Sequence, residues 1–356
     1  MIDINDLKGK EILLTGHTGF KGAWLGTWLT QIGARVHGVS LQPEPGPSLF
    51  TLLGNSAYYK SHFQDIRNFA SIEKLVNKIC PDVVFHLAAQ ALVRPSYSDP
   101  LKSFSTNIMG TANILEACRN MPSPPVIVCI TTDKVYLNDE AGQTFCETDP
   151  IGGKDPYSAS KAGAEMVAKS YDTLFKLEGT TRPYLAIARG GNVIGGGDWS
   201  LDRIVPDGVR AATSGSSLRI RSPDAVRPWQ HVLELCHAYM TLAAGLLSDN
   251  PVQFEGAWNF GPDPKYIVTV YELAKKLANE LKYPFFIEAD TEPSVPEANY
   301  LTLDISKAKN EIQWTPALSV DKGIALTGEW YAAFMQDPML AKDLTFSQIT
   351  YYETLR

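Results

Sequence analysis

The feature that most limits how this chain can fold lies near its start. A short apolar strand, Glu11 to Thr15, runs into Gly16-His17-Thr18-Gly19-Phe20-Lys21-Gly22 and then into a helical pattern carrying Trp24, Leu25, Trp28, Leu29 and Ile32. Strand, glycine turn and helix in that order build a phosphate-binding end. The glycines permit a tight turn and let backbone approach a pyrophosphate, while the helix N-terminus offers unpaired amides and the positive end of its dipole. The spacing G-x-x-G-x-x-G differs from the G-x-G-x-x-G of many dehydrogenases, so the triplet takes its weight from the elements downstream of it.

Those elements alternate. Strands are expected at Arg35 to Val39, Asp82 to Leu87, Val126 to Ile130 and Leu185 to Arg189, with helices near Ile72 to Ile79, Pro100 to Arg119 and Leu233 to Leu247. Strands apolar on both faces belong to a parallel sheet covered on both sides. The expected fold is α/β: a Rossmann-type doubly wound parallel sheet over residues 1–189, with returning segments near 229–262, and a smaller interleaved α/β C-terminal substrate domain from 190–228 and 263–356. The strand ending at Val39 leads into Ser40 and Leu41, neither an acid for a ribose hydroxyl nor an arginine for a 2′-phosphate, so these residues leave NAD against NADP open. Asp65-Ile66 is placed either to cap an adenine amino group or to N-cap the next helix.

Composition removes other classes. A net charge of −7 without a basic run argues against nucleic acid. No apolar run approaches the ~18 residues of a membrane span, and the polar Met1 to Lys10 is no secretory signal. Cys80, Cys118, Cys129, Cys146 and Cys236 have neither zinc-site nor disulfide spacing, so no metal is expected. The expected setting is the cytoplasm.

Two clusters carry chemistry. Tyr157 and Lys161 lie four residues apart, on one face of a helix. A neighbouring ammonium lowers the pKa of a phenol, which otherwise titrates near ~10, and lets it act as a base at neutral pH. Thr132, Asp133 and Lys134 precede them by 23 residues, counted from Lys134 to Tyr157. Adjacent strand residues face opposite ways, so Asp133 and Lys134 can meet one ligand only where the strand ends and bends.

With His86-Leu87-Ala88-Ala89-Gln90 and Thr106-Asn107 ahead of Gly110-Thr111, these pieces resemble the extended short-chain dehydrogenase/reductases. That resemblance implies NAD, tightly bound and regenerated each cycle, held by Gly16, Gly19, Phe20, Lys21, Gly22, Asp65, Ile66, Leu87, Ala88, Ala89, Gln90, Asn107, Tyr157 and Lys161. Asn107 would also support an active-site water and the helix geometry. Epimerases and decarboxylases of the family place a serine pair where this chain has Thr131-Thr132-Asp133-Lys134-Val135-Tyr136. The segment is similar to the T-D-E-V-Y of sugar-nucleotide 4,6-dehydratases, with lysine in the glutamate position, as in their CDP-glucose branch. Gly191-Asn192-Val193-Ile194-Gly195-Gly196-Gly197-Asp198-Trp199, Arg227-Pro228-Trp229-Gln230-His231-Val232 and Trp258-Asn259-Phe260-Gly261-Pro262 are similar to that branch too. Thr132 for serine, Gly191 for alanine and Asn299 for histidine depart from it.

The resemblance implies conversion of CDP-D-glucose to CDP-4-keto-6-deoxy-D-glucose, in deoxysugar and O-antigen polysaccharide biosynthesis. Tyr157 and Thr132 would serve oxidation at C4, Lys134 would take the C5 proton and Asp133 would protonate the departing 6-hydroxyl. Lys134 and Asp133 could exchange these roles or act through water. Arg94, Asn192, Arg203, Arg227, His231 and Tyr300 are the substrate-binding candidates, with Glu297 to Asp304 running along the nucleotide. Arg203 could instead pair with Asp202, and His231 could cap the helix after it. The helices around Pro100 to Arg119 and Tyr157 to Leu177 make the subunit contact in relatives, so a homodimer or a pair of dimers is expected. Rival readings are a dehydratase or epimerase for a dTDP-, UDP- or GDP-sugar, or a non-catalytic cofactor-binding protein. The last would lack one of Tyr157, Lys161 and Asp133, and all are present.

Overall fold

The computed structural model describes residues 2–54, 59–179, 181–263, 266, 268–281, 285–289 and 300–356. Strands and helices alternate through β1 (Glu11–Thr15), α1 (Phe20–Gln31), β2 (Arg35–Ser40), β3 (Lys60–Phe63), α2 (Phe69–Ile79), β4 (Val83–His86), α3 (Gly110–Arg119), β5 (Val126–Ile130), α4 (Pro156–Leu177), β6 (Tyr184–Gly190), α5 (Ile204–Ser214), α6 (Val232–Leu246) and β7 (Gly256–Phe260). The seven strands form one sheet in the order β7-β6-β5-β4-β1-β2-β3. Every neighbouring pair is parallel. β4 and β5 are buried along their whole length, as strands covered on both faces must be. The order reverses between β1 and β4, and a crevice at such a switch point is where doubly wound sheets bind ligands.

α1 is apolar nearly all round, the pattern of a helix enclosed on every side. Its Trp24 indole donates to the Gly196 carbonyl at 2.9 Å, and its Trp28 indole donates to Glu353 at 2.7 Å, so each buried ring also satisfies its polar atom. α6 and β7 lie against the same sheet, so the chain returns to it after leaving at Gly190. Beyond the sheet, α5 packs on the helix Val270–Leu281, and the strand Leu218–Ile220 pairs with Ile287–Ala289.

Pro100 to Arg119 is helical throughout, as expected, with a π turn at Ser105–Met109 between the α-helical Pro100–Phe104 and α3. Asn107, at the centre of that turn, directs its side-chain amide to the Gln90 backbone and the Ser160 hydroxyl. Asp65 does not cap α2. Asn68 does, accepting from the Ser71 amide, while Asp65 grips the Arg67 guanidinium with both oxygens. Among the described residues no helix is long and apolar enough to cross a membrane, all five cysteines are free, and no group of His, Cys, Asp or Glu could hold a metal ion.

Candidate active site

The glycine turn is a cradle that side chains would fill. Gly16 has φ +76°, and a Cβ there would lie 2.8 Å from the Ala88 nitrogen. A Cβ on Gly22 would run into the Gly16 carbonyl. Such close backbone packing at a helix N-terminus leaves amides open to an anion, which fits the pyrophosphate of a dinucleotide. Leu87 and Ala89 continue the wall, and Asn107 fastens it from behind, accepting from the Gln90 amide at 2.8 Å and donating to the Gln90 carbonyl at 3.0 Å. Asn107 is buried, and its amide joins this wall through the Gln90 backbone. Ile66 likewise turns its side chain into the core, against Gly110.

A cavity of about 650 Å³ opens beyond this turn. It is lined by Lys21, Thr132, Asp133, Lys134, Tyr157 and Lys161 at one end, and by Arg94, Asn192, Arg203 and Arg227 along its length. A volume of that size accommodates a nucleotide-sized ligand. The Tyr157 end is built by a strong helix start. Asp155 caps α4 in a reciprocal box with Ser158, and Pro156 occupies the first turn, which places Tyr157 one residue inside. Lys161, one turn on, donates to the Ile130 carbonyl at 3.0 Å and so lies against the end of β5.

The catalytic candidates after β5 are placed by a bend. β5 stops at Ile130, and Asp133–Val135 is a 3₁₀ turn, which brings both Asp133 and Lys134 to the cavity wall. The Thr132 hydroxyl donates to Asp133 at 2.9 Å and receives the Lys134 amide at 3.4 Å. The other Asp133 oxygen is buried without a hydrogen-bond partner. Burial raises the Asp133 pKa above the usual carboxylate range, against the pull of Lys134, the Thr132 hydroxyl and Arg227. A carboxyl held toward its neutral form can donate a proton.

Tyr157 and Lys161 behave differently from the expectation of a lysine-activated phenol. Burial pushes Tyr157 up to about 12, with the Thr132 hydroxyl and Arg203 pulling it down, and Lys161 is not among the groups acting on it most. Burial lowers Lys161 itself to about 8. Burial thus favours the neutral phenol, and a positive charge placed in the cavity would favour the phenolate. Lys21, lowered to about 7 by burial and by the neighbouring Lys161 and Arg203, shares the cavity.

Two substrate-binding candidates are absent from this cavity's lining, and one of them, His231, takes the capping role that was its alternative. His231 is buried with a Nε2 that has no partner, its Nδ1 accepts from the Leu233 amide at 3.4 Å as the cap of α6, and it does not line the cavity. Tyr300 lies outside the cavity as well: its backbone bridges Val226 and accepts from Asn138. Residues 297–299 of the stretch ending at Asp304 lie outside the described residues. Arg203 reaches the cavity but pairs with Asp198 at 3.2 Å, and it is Arg94 that pairs with Asp202, at 2.9 Å. Sequence reasoning missed Asp207, Arg210 and the run Ser216 to Ser222, which line the far end of the cavity. A helical pattern over Ile204–Ser214 followed by the apolar-polar alternation Leu218-Arg219-Ile220 was the available signal.

A parallel doubly wound sheet, a glycine turn at its switch point and a Tyr-x-x-x-Lys helix facing it define a site of the short-chain dehydrogenase/reductase class. Residues 13–327 match the family model described as GDP-mannose 4,6 dehydratase. The chain is 39% identical over 339 residues to a CDP-glucose 4,6-dehydratase of Salmonella typhimurium, covering 94% of each. Among solved structures it is similar to a dTDP-glucose 4,6-dehydratase of Bacillus anthracis in complex with NAD (TM-score 0.75, 22% identity, 94% of this chain and 99% of that one). It is also similar to a UDP-glucose 4-epimerase of Thermotoga maritima with UDP-glucose (TM-score 0.78, 22% identity, 91% and 99%). The chain belongs to the sugar-nucleotide 4,6-dehydratase family.

Proposed function

We propose that this protein is an NAD-dependent CDP-glucose 4,6-dehydratase. The observation that carries the reading is the meeting of two pairs in one cavity: Tyr157 with Lys161, and Asp133 with Lys134. The first pair suits oxidation of an alcohol, and the second is superfluous unless an elimination comes next. The 39% identity to a CDP-glucose 4,6-dehydratase supports the choice of nucleotide sugar.

When bound, NAD supplies the acceptor for the C4 hydride, the donor that returns it to C6, and a positively charged ring. Gly16, Gly19, Gly22, Phe20 and Lys21 would hold its pyrophosphate end, and Leu87 and Ala89 its face. Tyr157 takes the proton of the 4-hydroxyl, with the Thr132 hydroxyl on the same oxygen. The resulting ketone acidifies the C5 proton, which Lys134 removes. Asp133 gives its proton to the 6-hydroxyl, and water leaves. A proton returned to C5 completes CDP-4-keto-6-deoxyglucose, so atoms balance with no net oxidation. Arg94, Arg203 and Arg227 face the diphosphate, where guanidinium groups match phosphate oxygens.

Exposed apolar side chains on two neighbouring helical segments favour a homodimer: Leu101 and Met109 before α3, and Met166 on α4. The substrate assignment is tested by supplying CDP-, dTDP-, UDP- and GDP-sugars to the purified protein with NAD. A 4-keto-6-deoxy product forms fastest from CDP-glucose; faster product from another nucleotide sugar overturns the assignment.

A further inference from the structure

The segment that carries Thr132, Asp133 and Lys134 is flanked by Thr131 and Tyr136, and the side chains of both are tied to one buried ion pair. Arg189, at the end of β6, and Glu165, one turn beyond Lys161 on α4, are both fully buried. Arg189 Nε donates to the two Glu165 oxygens at 3.1 and 3.0 Å. On the near side, the Thr131 hydroxyl donates to Glu165 at 3.3 Å. On the far side, the Tyr136 hydroxyl accepts from Arg189 at 2.6 Å and donates to Asn259 on β7 at 2.7 Å. The Tyr136 ring is stacked on Phe145, with centroids 4.8 Å apart.

We infer that the Arg189–Glu165 pair, gripping Thr131 and Tyr136, is a positioning clamp that sets Asp133 and Lys134 in register with Tyr157. Glu165 and Tyr157 ride on the same helix, so the clamp references the elimination pair to the oxidation pair. A buried ion pair gives little net stability once its desolvation is counted, and a fixed geometry is the use left for it. Of its four side chains Thr131 reaches the cavity wall, while Tyr136, Glu165 and Arg189 do not. Positioning matters at this scale, since misplacement of a reacting group by about 1 Å can cost on the order of 10²-fold.

This inference rests on the dehydratase reading, and the test separates the two. Tyr136→Phe removes one hydroxyl and keeps the ring on Phe145; Glu165→Gln keeps the side chain's shape and weakens the grip on Thr131 and Arg189 from outside the cavity wall. Each holoenzyme is mixed with CDP-glucose for a single turnover while the near-ultraviolet absorbance of reduced nicotinamide is followed, with exchange of the C5 proton for solvent deuterium read by NMR. The clamp predicts oxidation at close to the parental rate, and elimination and C5 exchange slowed by about 10-fold or more, within the range that misplacement produces. Melting temperatures measured alongside identify any loss through unfolding. Equal slowing of both phases, or parental rates in both variants, overturns the clamp. Absence of either phase in the parent protein overturns the dehydratase reading and the clamp with it.

Discussion

Replacing Asp133 by asparagine removes a proton donor and almost nothing else. The side chain keeps its shape, and an amide oxygen can still accept from the Thr132 hydroxyl that now donates to Asp133 at 2.9 Å. General acid catalysis contributes ~10²–10⁴-fold, so elimination should slow by that range while oxidation, which uses Tyr157, proceeds. Stability should move the other way. Burial raises the folded-state pKa of Asp133, so its contribution to stability is greatest below the unfolded carboxylate pKa and is lost as pH rises through the folded value. At neutral pH the carboxylate is thus a destabilising group, and a neutral amide should leave the melting temperature equal or higher. The assay is a single turnover with CDP-glucose, read by reduced nicotinamide and by product sugar, beside a thermal melt. Product formation within about 10-fold of the parent would refute Asp133 as the acid, since it falls below the contribution expected of one. A variant that melts well below the parent would refute the stability argument.

The same geometry makes four further expectations testable. The Lys161 ammonium, lowered to about 8, is present below that pH and lost above it, so kcat/KM should fall on the alkaline side from about pH 8; a profile flat well beyond that point excludes a role for the charge. His231→Ala should leave the KM for CDP-glucose within about 2-fold, because the ring caps α6 away from the cavity, but should lower stability by about 1 kcal/mol as a lost cap does, measured by chemical denaturation. Arg227→Met should raise KM by about 10-fold or more through loss of a charged phosphate contact worth ~1.5–3 kcal/mol; an unchanged KM would remove it from the diphosphate site. Met166→Glu should convert a dimer to monomer in sedimentation, and an unchanged mass would place the subunit contact elsewhere.

The parts of the fold legible in the sequence were those fixed by local pattern. Val126–Ile130 is apolar at every position and could only be an inner strand, and Asp155-Pro156 ahead of a small-residue helix announces its own start. The bend after β5 answered the need for Asp133 and Lys134 to share one face, and the 3₁₀ turn satisfies it. What local pattern could not give was whatever depends on a partner far away in the chain. The cap that His231 makes on the helix after it was legible locally, but the packing of its ring against Trp24 involves a helix more than two hundred residues earlier. The bonds of the Asn107 side chain, inside the π turn at Ser105–Met109, depend on where Gln90 and Ser160 lie. The spacing of Tyr157 and Lys161 put both on one helix face, but the burial that raises the phenol comes from the assembled fold. Asp207 and Arg210 sit in an ordinary amphipathic helix, and only the tertiary fold turns that face to the cavity.

The proposed reaction moves one hydrogen within one sugar. CDP-glucose carrying deuterium at C4 is converted by the holoenzyme and the product analysed by NMR. Oxidation, elimination and return in a single cavity place the label in the C6 methyl group of a 4-keto-6-deoxy sugar. Label lost to solvent, or found again at C4 of a sugar that still has its 6-hydroxyl, would contradict it.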